Sequence, residues 1–259
     1  MASLTGPALP WRLTWGWGIG SLGASTLHNG IGFLGLFFMT DVLAIPPATA
    51  GTLLLLAKLY DIVTDPLAGL ASDRTRSRHG RRRPWLFAGS LLAGLAFLAF
   101  FATPPGERAA GVAFAGLLLY ATAYTVFGVP YLAMPAEMTD DPHERSRLMA
   151  VRTLWLALGI LAGGALAPVL VDAFGGGAAG FARMAVLVAP VVTASMLVTV
   201  VATRGAPATV AGAAPGAGAG AALAGALGNR PFVQLIACKF THLVGVSVST
   251  GALIFVVTR

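Results

Sequence analysis

Charge is what this sequence has least of. Only 10% of its 259 residues are Asp, Glu, Lys or Arg, where a water-soluble domain carries about a quarter. So few charges cannot coat a hydrated globule of this size, which excludes a soluble enzyme or binding module. Cysteine is almost missing: Cys238 stands alone inside an apolar run, so no intrachain disulfide framework can form. Acidic residues number 10 against 17 basic ones, a balance that by itself fits a nucleic-acid binder. Most of the basic residues, however, flank apolar runs, as topology signals do, and nucleic acid is not expected as a partner. The N-terminus lacks a basic segment ahead of its first apolar run, and that run contains His28 and Asn29, so a cleaved leader is not expected either.

What the chain has in excess is apolar surface, with 56% hydrophobic residues and a mean hydropathy of +0.79. The apolar residues come in runs of about 20, the length an α-helix needs to cross roughly 30 Å of hydrocarbon. These runs predict seven spans, at 14–40, 47–72, 84–103, 109–136, 148–173, 182–203 and 231–257. Barrel strands would alternate apolar and polar residues, and these runs do not. A helix also satisfies its backbone amides within the segment. The expected fold class is an all-α polytopic membrane protein. The stretch from Gly205 to Gly228, with Pro207 and Pro215 among many Ala and Gly residues, reads as a flexible cytoplasmic linker holding a short helix over Ala221–Leu227. The domains are then a six-helix bundle over 1–203, a linker over 204–230 and, over 231–259, the seventh helix as the start of a second bundle.

Orientation follows from the arginines. The N-terminus and the loops after spans 2, 4 and 6 share one side. That side carries Arg12, then Arg74, Arg76, Arg78, Arg81, Arg82 and Arg83, then Arg145, Arg147 and Arg152, then Arg204 and Arg230. The other side has Arg108 and Arg183, with Arg259 at the chain end. Basic loops stay inside, so the N-terminus is expected in the cytoplasm of a cell-membrane protein. Trp11, Trp15 and Trp17 read as an interfacial anchor.

Span 2 holds the most informative residues, Lys58-Leu-Tyr-Asp61-Ile-Val-Thr64-Asp65-Pro66. A charge at mid-bilayer is expensive and faces a partner or a water-filled cavity. Lys58, Asp61 and Asp65 stand at i, i+3 and i+7, on one helix face, with Thr64 at its border. Pro66 leaves a backbone carbonyl without its helical donor. Two carboxylates, a hydroxyl and freed carbonyls suit a hard cation such as Na⁺, and the same pair suits a shared proton. The plainer reading is that Lys58 and Asp61 neutralise each other, which leaves Asp65 unexplained. In span 1, Ser25, Thr26, His28 and Asn29 form a polar cluster that either packs helices together or lines a solute path. In span 7, Lys239 and His242 stand at i, i+3, and Lys239 is placed to snorkel towards the cytoplasmic side. Tyr120, Tyr124 and Tyr131 of span 4 read first as packing residues.

The run from Asp61 to Trp85, DIVTDPLAGLASDRTRSRHGRRRPW, resembles the melibiose permease-like glycoside–pentoside–hexuronide:cation symporters of the major facilitator superfamily. Supporting pieces are Thr40-Asp41-Val42, Val129-Pro130-Tyr131, Glu144-Arg145 with Arg152, and Asn229-Arg230-Pro231-Phe232. The resemblance implies the N-terminal six-helix half of a twelve-helix transporter plus its seventh helix. It implies a coupling-cation site at Asp61 and Asp65 with Thr64, and a solute site drawing on Ser25, His28, Asn29, Tyr124 and Arg152. It also implies a cytoplasmic gating motif of Gly69, Asp73, Arg74, Gly80, Arg81 and Arg82, paired with acids from Glu137, Asp140, Asp141 and Glu144. Galactoside-binding members place carboxylates in spans 1 and 4 and an aromatic nearby, where this sequence has Ser25, Gly128 and Leu132. The implied activity is symport of a small solute, a sugar or glycoside, with Na⁺ or H⁺ and no other cofactor. The implied partners are that solute, the cation, the lipid bilayer and the C-terminal half of the same transporter. Two other readings stay open: a symporter of a more apolar solute such as a lysolipid, and a half-size scaffold without transport, which the end of the chain at Arg259 favours. No Ser/His or metal-ligand spacing points to an intramembrane enzyme.

Overall fold

A computed structural model describes residues 9–78, 80–206, 228–231, 233–235, 237, 238 and 241. The chain divides into two compact units, residues 1–210 and 211–259. Most of the expected linker and seventh span, with Lys239 and His242, lies outside the described residues.

The described part of the first unit is helical throughout. Helices α1 (Trp11–Gly18) and α2 (Gly20–Phe37) follow one another and end in a π-helical turn, Phe38–Val42. Then come α3 (Pro47–Arg74), α4 (Arg83–Phe101), α5 (Ala109–Met138) and α6 (Pro142–Leu161). A second π turn, Ala162–Leu166, leads into α7 (Ala167–Ala173), and α8 (Gly177–Ala202) closes the bundle. Among the described residues, five stretches are long and apolar enough to cross a membrane: Trp11–Val42, Arg83–Phe101, Ala109–Met138, Pro142–Ala173 and Gly177–Gly205. The remaining rod, α3, has 28 residues, about 42 Å at 1.5 Å per residue. It has the length, and Lys58, Asp61 and Asp65 dilute its apolar character.

The helix ends differ from the hydropathy boundaries where capping decides. The fifth rod starts at Pro142 rather than 148. Asp141 accepts from the His143 amide at 2.8 Å as its N-cap, and Pro142 takes the first helical position, where its missing N–H costs nothing. This first turn is polar, so hydropathy passes over it. The sixth rod starts at Gly177 rather than 182, because Gly175, Gly176 and Gly177 all adopt positive φ and form the turn before it.

Trp17 corrects the reading of an aromatic anchor. Trp11 and Trp15 are exposed, whereas Trp17 is wholly buried and stacks on Tyr131 at 4.7 Å. Trp15 packs on Trp155, and Arg147 lies over Trp11 at 4.9 Å. Two residues beyond Trp15, Trp17 falls on another face of the helix.

Small residues let the rods approach. A Cβ added to Gly163 would lie 2.7 Å from the Gly30 nitrogen and from the Thr26 carbonyl, and one on Gly159 would lie 2.6 Å from the Leu22 carbonyl. The pair Gly159 and Gly163, four apart, is therefore a close-packing seam of α6 against α2, the small-residue contact common in membranes. That seam sets Ser25, which donates to the Leu156 carbonyl at 2.9 Å. At one end of the bundle Phe38, Phe100, Phe101 and Phe181 pack with ring centroids 4.8–5.6 Å apart. At the other end the arginine-rich segments meet. The Leu9 amide donates to Glu144 at 3.0 Å, Arg82 pairs with Glu137 at 2.6 Å, and Arg83 donates to the Thr203 carbonyl. Helix α3 leans mainly on α5, leaving Leu55, Leu59, Ile62, Val63 and Leu67 exposed.

Candidate functional site

A cavity of about 240 Å³ opens between α2, α5 and α6. Ser25, His28, Asn29, Tyr124 and Arg152 all line it, together with Ser21, Tyr131, Gly128, Leu132 and Leu156. The five polar positions expected to meet solute thus come together from three helices. Ser25 and Asn29 are one turn apart on α2. Asn29 donates to the Ser25 carbonyl at 2.8 Å and to its hydroxyl at 3.1 Å, which fixes the amide against the wall. Ser21 and Tyr131 share a hydrogen bond of 2.8 Å, and Tyr131 lies 3.1 Å from the Trp17 carbonyl. A phenol has one proton, so Tyr131 donates to that carbonyl and Ser21 donates to Tyr131.

Arg152 is half-buried, and its Nε is buried without a partner. No carboxylate lines the cavity. The three positions where galactoside binders carry carboxylates and an aromatic, Ser25, Gly128 and Leu132, are all wall residues here.

A second cavity, about 250 Å³, lies beside the first and is lined by Lys58, Asp61, Tyr120, Leu54, Ala57 and Leu117 with His28, Ile31 and Gly32. His28 belongs to both walls. Its Nδ1 is hydrogen-bonded to the Tyr120 hydroxyl at 2.8 Å, and its ring packs on Tyr124 at 5.1 Å.

The expected cation residues divide between two settings. Asp61 pairs with Lys58 at 3.1 Å, and its other carboxylate oxygen is buried without a partner. Asp65 instead accepts from Thr125 of α5 at 2.6 Å. The Thr64 hydroxyl donates to the Tyr60 carbonyl at 3.0 Å, so it is engaged with its own helix rather than with either carboxylate. Thr125 and Thr122 stand at i, i+3 on α5, and Thr122 meets the Tyr60 hydroxyl at 3.0 Å. Two hydroxyls at that spacing in an apolar span were the signal for this partner strand of contacts. Neither was singled out from sequence, because threonine in a span reads first as backbone-bonded filler. Among the described residues no group of three or more His, Cys, Asp or Glu side chains gathers. A cation here would be held by hard oxygens from carboxylates, hydroxyls and carbonyls.

The loop between α3 and α4 forms one ionic cluster. Arg82 bridges Asp73 at 3.0 Å and Glu137 at 2.6 Å. Arg81 also donates to Glu137, which holds its pKa above the ordinary arginine value. Gly80 has φ of +90°, a conformation that favours glycine and turns the chain back towards α4. Trp85 donates to Thr75 across the same loop at 2.8 Å. Gly69 faces Val129, and Arg74 ends α3 exposed. Of the acids expected to meet the arginines, Glu137 takes Arg81 and Arg82. Asp140 meets Arg145 at 3.4 Å, Glu144 takes Arg147 at 2.6 Å, and Asp141 caps α6.

Comparison with known proteins decides the family. A family profile described as MFS/sugar transport protein matches residues 16–259. The chain belongs to this family. Among its relatives is the inner membrane symporter YicJ of Escherichia coli K12, 34% identical over 157 residues, 60% of this chain and 33% of that protein. The glucuronide carrier protein homolog of the same organism is 31% identical over 154 residues, 58% of this chain and 34% of that one. The sodium-dependent lysophosphatidylcholine symporter 1-A of Danio rerio is 32% identical over 140 residues, 52% and 26% of the two chains. The matched part of the chain spans about a third of the length of these relatives or less. As a member of this family it is a multi-pass membrane protein, and the relatives it matches include proteins named as symporters.

Proposed function

We propose that this chain supplies the solute- and cation-binding wall of a symporter that works by alternating access, with its N-terminus in the cytoplasm. The observation that carries the reading is a cavity on which Ser25, His28, Asn29, Tyr124 and Arg152 converge, set in otherwise apolar rods. Beside it runs a helix that keeps Asp61 and Asp65 within its span. Ionisable groups inside a membrane are costly and mark ion or substrate paths. A scaffold without transport has no use for them. The coupling ion is Na⁺ or H⁺, held by Asp61 and Asp65, with Thr125 as a further oxygen. No other cofactor is called for. The remaining walls of both cavities come from the C-terminal half of the same transporter.

The solute is small and carries an acid. Ser25, His28, Asn29 and Arg152 on the cavity wall offer the hydrogen-bonding groups that a sugar's hydroxyls use, which favours a sugar over a lysolipid. Arg152 is the cavity's fixed cation, and no carboxylate lines the wall beside it; a sugar acid would supply one. The test is a matched pair, 4-nitrophenyl β-D-glucuronide against 4-nitrophenyl β-D-glucoside, with the full-length protein in proteoliposomes. A charge-assisted hydrogen bond contributes about 1.5–3 kcal/mol, so the glucuronide should bind roughly ten- to a hundredfold more tightly. Arg152→Gln should erase that difference. Equal affinity in the wild type would overturn the acidic solute, and binding of neither would overturn the sugar.

Orientation is tested separately by single cysteines in a Cys238→Ala background with an impermeant thiol reagent on intact cells. Gly106→Cys should label and Ser77→Cys should not. The reverse pattern would invert the topology.

A further inference from the structure

The bundle carries a third cavity, away from both sites above, where α4 begins and α8 ends. It measures about 370 Å³ and is lined by Arg83, Arg204, Pro84, Phe87 and Val200. We infer that this groove binds the headgroup of an acidic phospholipid, its phosphate between Arg83 and Arg204 and an acyl chain along α4. The inference does not depend on the solute or the coupling ion.

Three observations select a lipid. First, two guanidinium groups converge on one space. Arg83 is anchored by donating to the Thr203 carbonyl, and Arg204 follows one residue later in the turn Thr203–Gly205. Two like charges on one groove make it attractive to an anion. Second, the rest of the lining is apolar, through Pro84, Phe87 and Val200, which a hydrated inorganic anion does not require. Third, the groove continues into a track. Phe87, Leu91 and Leu95 are exposed on α4 at spacings of four, and Val201 is exposed on α8. Residues four apart lie on one helix face, so the stripe runs from the arginines into the bilayer. A basic pocket at the end of spanning helices, with apolar surface leading inward, matches both parts of an anionic lipid.

The full-length protein is purified and lipid retention is followed by native mass spectrometry. Phosphatidylglycerol is compared with phosphatidylcholine of the same acyl chains. Basic groups near a membrane surface each contribute about fivefold to the binding of acidic lipid, so two predict a preference of roughly ten- to thirtyfold for phosphatidylglycerol. Arg204→Gln should remove most of the preference, and Arg83→Gln combined with it should bring the preference near one. Arg83 also ties α4 to α8, so the double variant alone could fail through folding; Arg204→Gln keeps that tie and carries the test. Arg108→Gln, at the opposite end of the bundle, should leave the preference intact. The inference is overturned if the wild type retains the two lipids equally or if Arg204→Gln keeps the preference. It is also overturned if Arg108→Gln loses as much, or if sodium phosphate competes the lipid off at equal concentration.

Discussion

Asp65→Asn should abolish uphill accumulation of solute while leaving downhill counterflow in place. Asparagine keeps the volume and one oxygen, so the contact with Thr125, now 2.6 Å, can persist. What is lost is the charge that draws a cation out of water. A hydrogen-bonded charge contact is worth about 2–3 kcal/mol, or roughly 30- to 150-fold in cation affinity. The proposed solute site lies on α2, α5 and α6 and is not touched directly. Asp61→Asn should act similarly, and a second variant separates an ion ligand from a mere counter-ion. Lys58 has Asp61 as its partner at 3.1 Å, and a cation left unpaired within a span is costly. If Asp61 only neutralises Lys58, the double variant Lys58→Met/Asp61→Asn regains uphill transport. If Asp61 holds the ion, the double variant stays inactive. Cation-driven uptake and counterflow, with Na⁺ and pH varied independently, distinguish the outcomes. An Asp65→Asn protein that concentrates solute with unchanged cation dependence would make that carboxylate structural.

Glu137→Gln should shift the conformational equilibrium of the transporter as strongly as any single change at the cytoplasmic end. Glu137 receives both Arg81 and Arg82, and Arg82 is only 10% exposed. Removing the acid leaves two guanidiniums together in a poorly hydrated place. Breaking a buried ion pair costs about 3–5 kcal/mol, and a partly exposed one nearer the lower figure. A penalty of about 3 kcal/mol paid in one state alone changes the ratio of two states roughly 150-fold. Asp73→Asn removes a half-exposed partner of Arg82, and its effect should stay below about 1 kcal/mol. With Leu132→Cys in the cavity wall, impermeant thiol reagents applied from each side report the shift. Glu137→Gln should raise labelling from the cytoplasmic side. Unchanged labelling, with an unchanged melting temperature, would reduce the arginines to a topology signal.

Much of this was legible in the residues themselves. The solvent, the helical class, six rods and the ionic loop follow from local quantities: run length, charge per run, the spacing of Lys58, Asp61 and Asp65, and the glycine at position 80. The family resemblance was equally local, carried by one dense stretch from Asp61 to Trp85. Ser25, His28, Asn29, Tyr124 and Arg152, named together from the sequence, all line one cavity.

Tertiary structure decided which of these groups meet. Asp61 and Asp65 lie on one helix face by spacing, yet one turns to Lys58 and the other to Thr125. Which neighbour a side chain finds depends on how α3 leans on α5, and no pattern within α3 encodes that. Trp17 went to the core for the same reason: hydropathy scores it like Trp15, and only the face it presents to Tyr131 separates the two. His28 stands on the wall of both cavities because its hydrogen bond to Tyr120 and its packing on Tyr124 hold it against α5, which lines both. Sequence determines what each helix can offer, because charge, length and periodicity belong to a single segment. Packing determines what is used, because a site is a relation between segments.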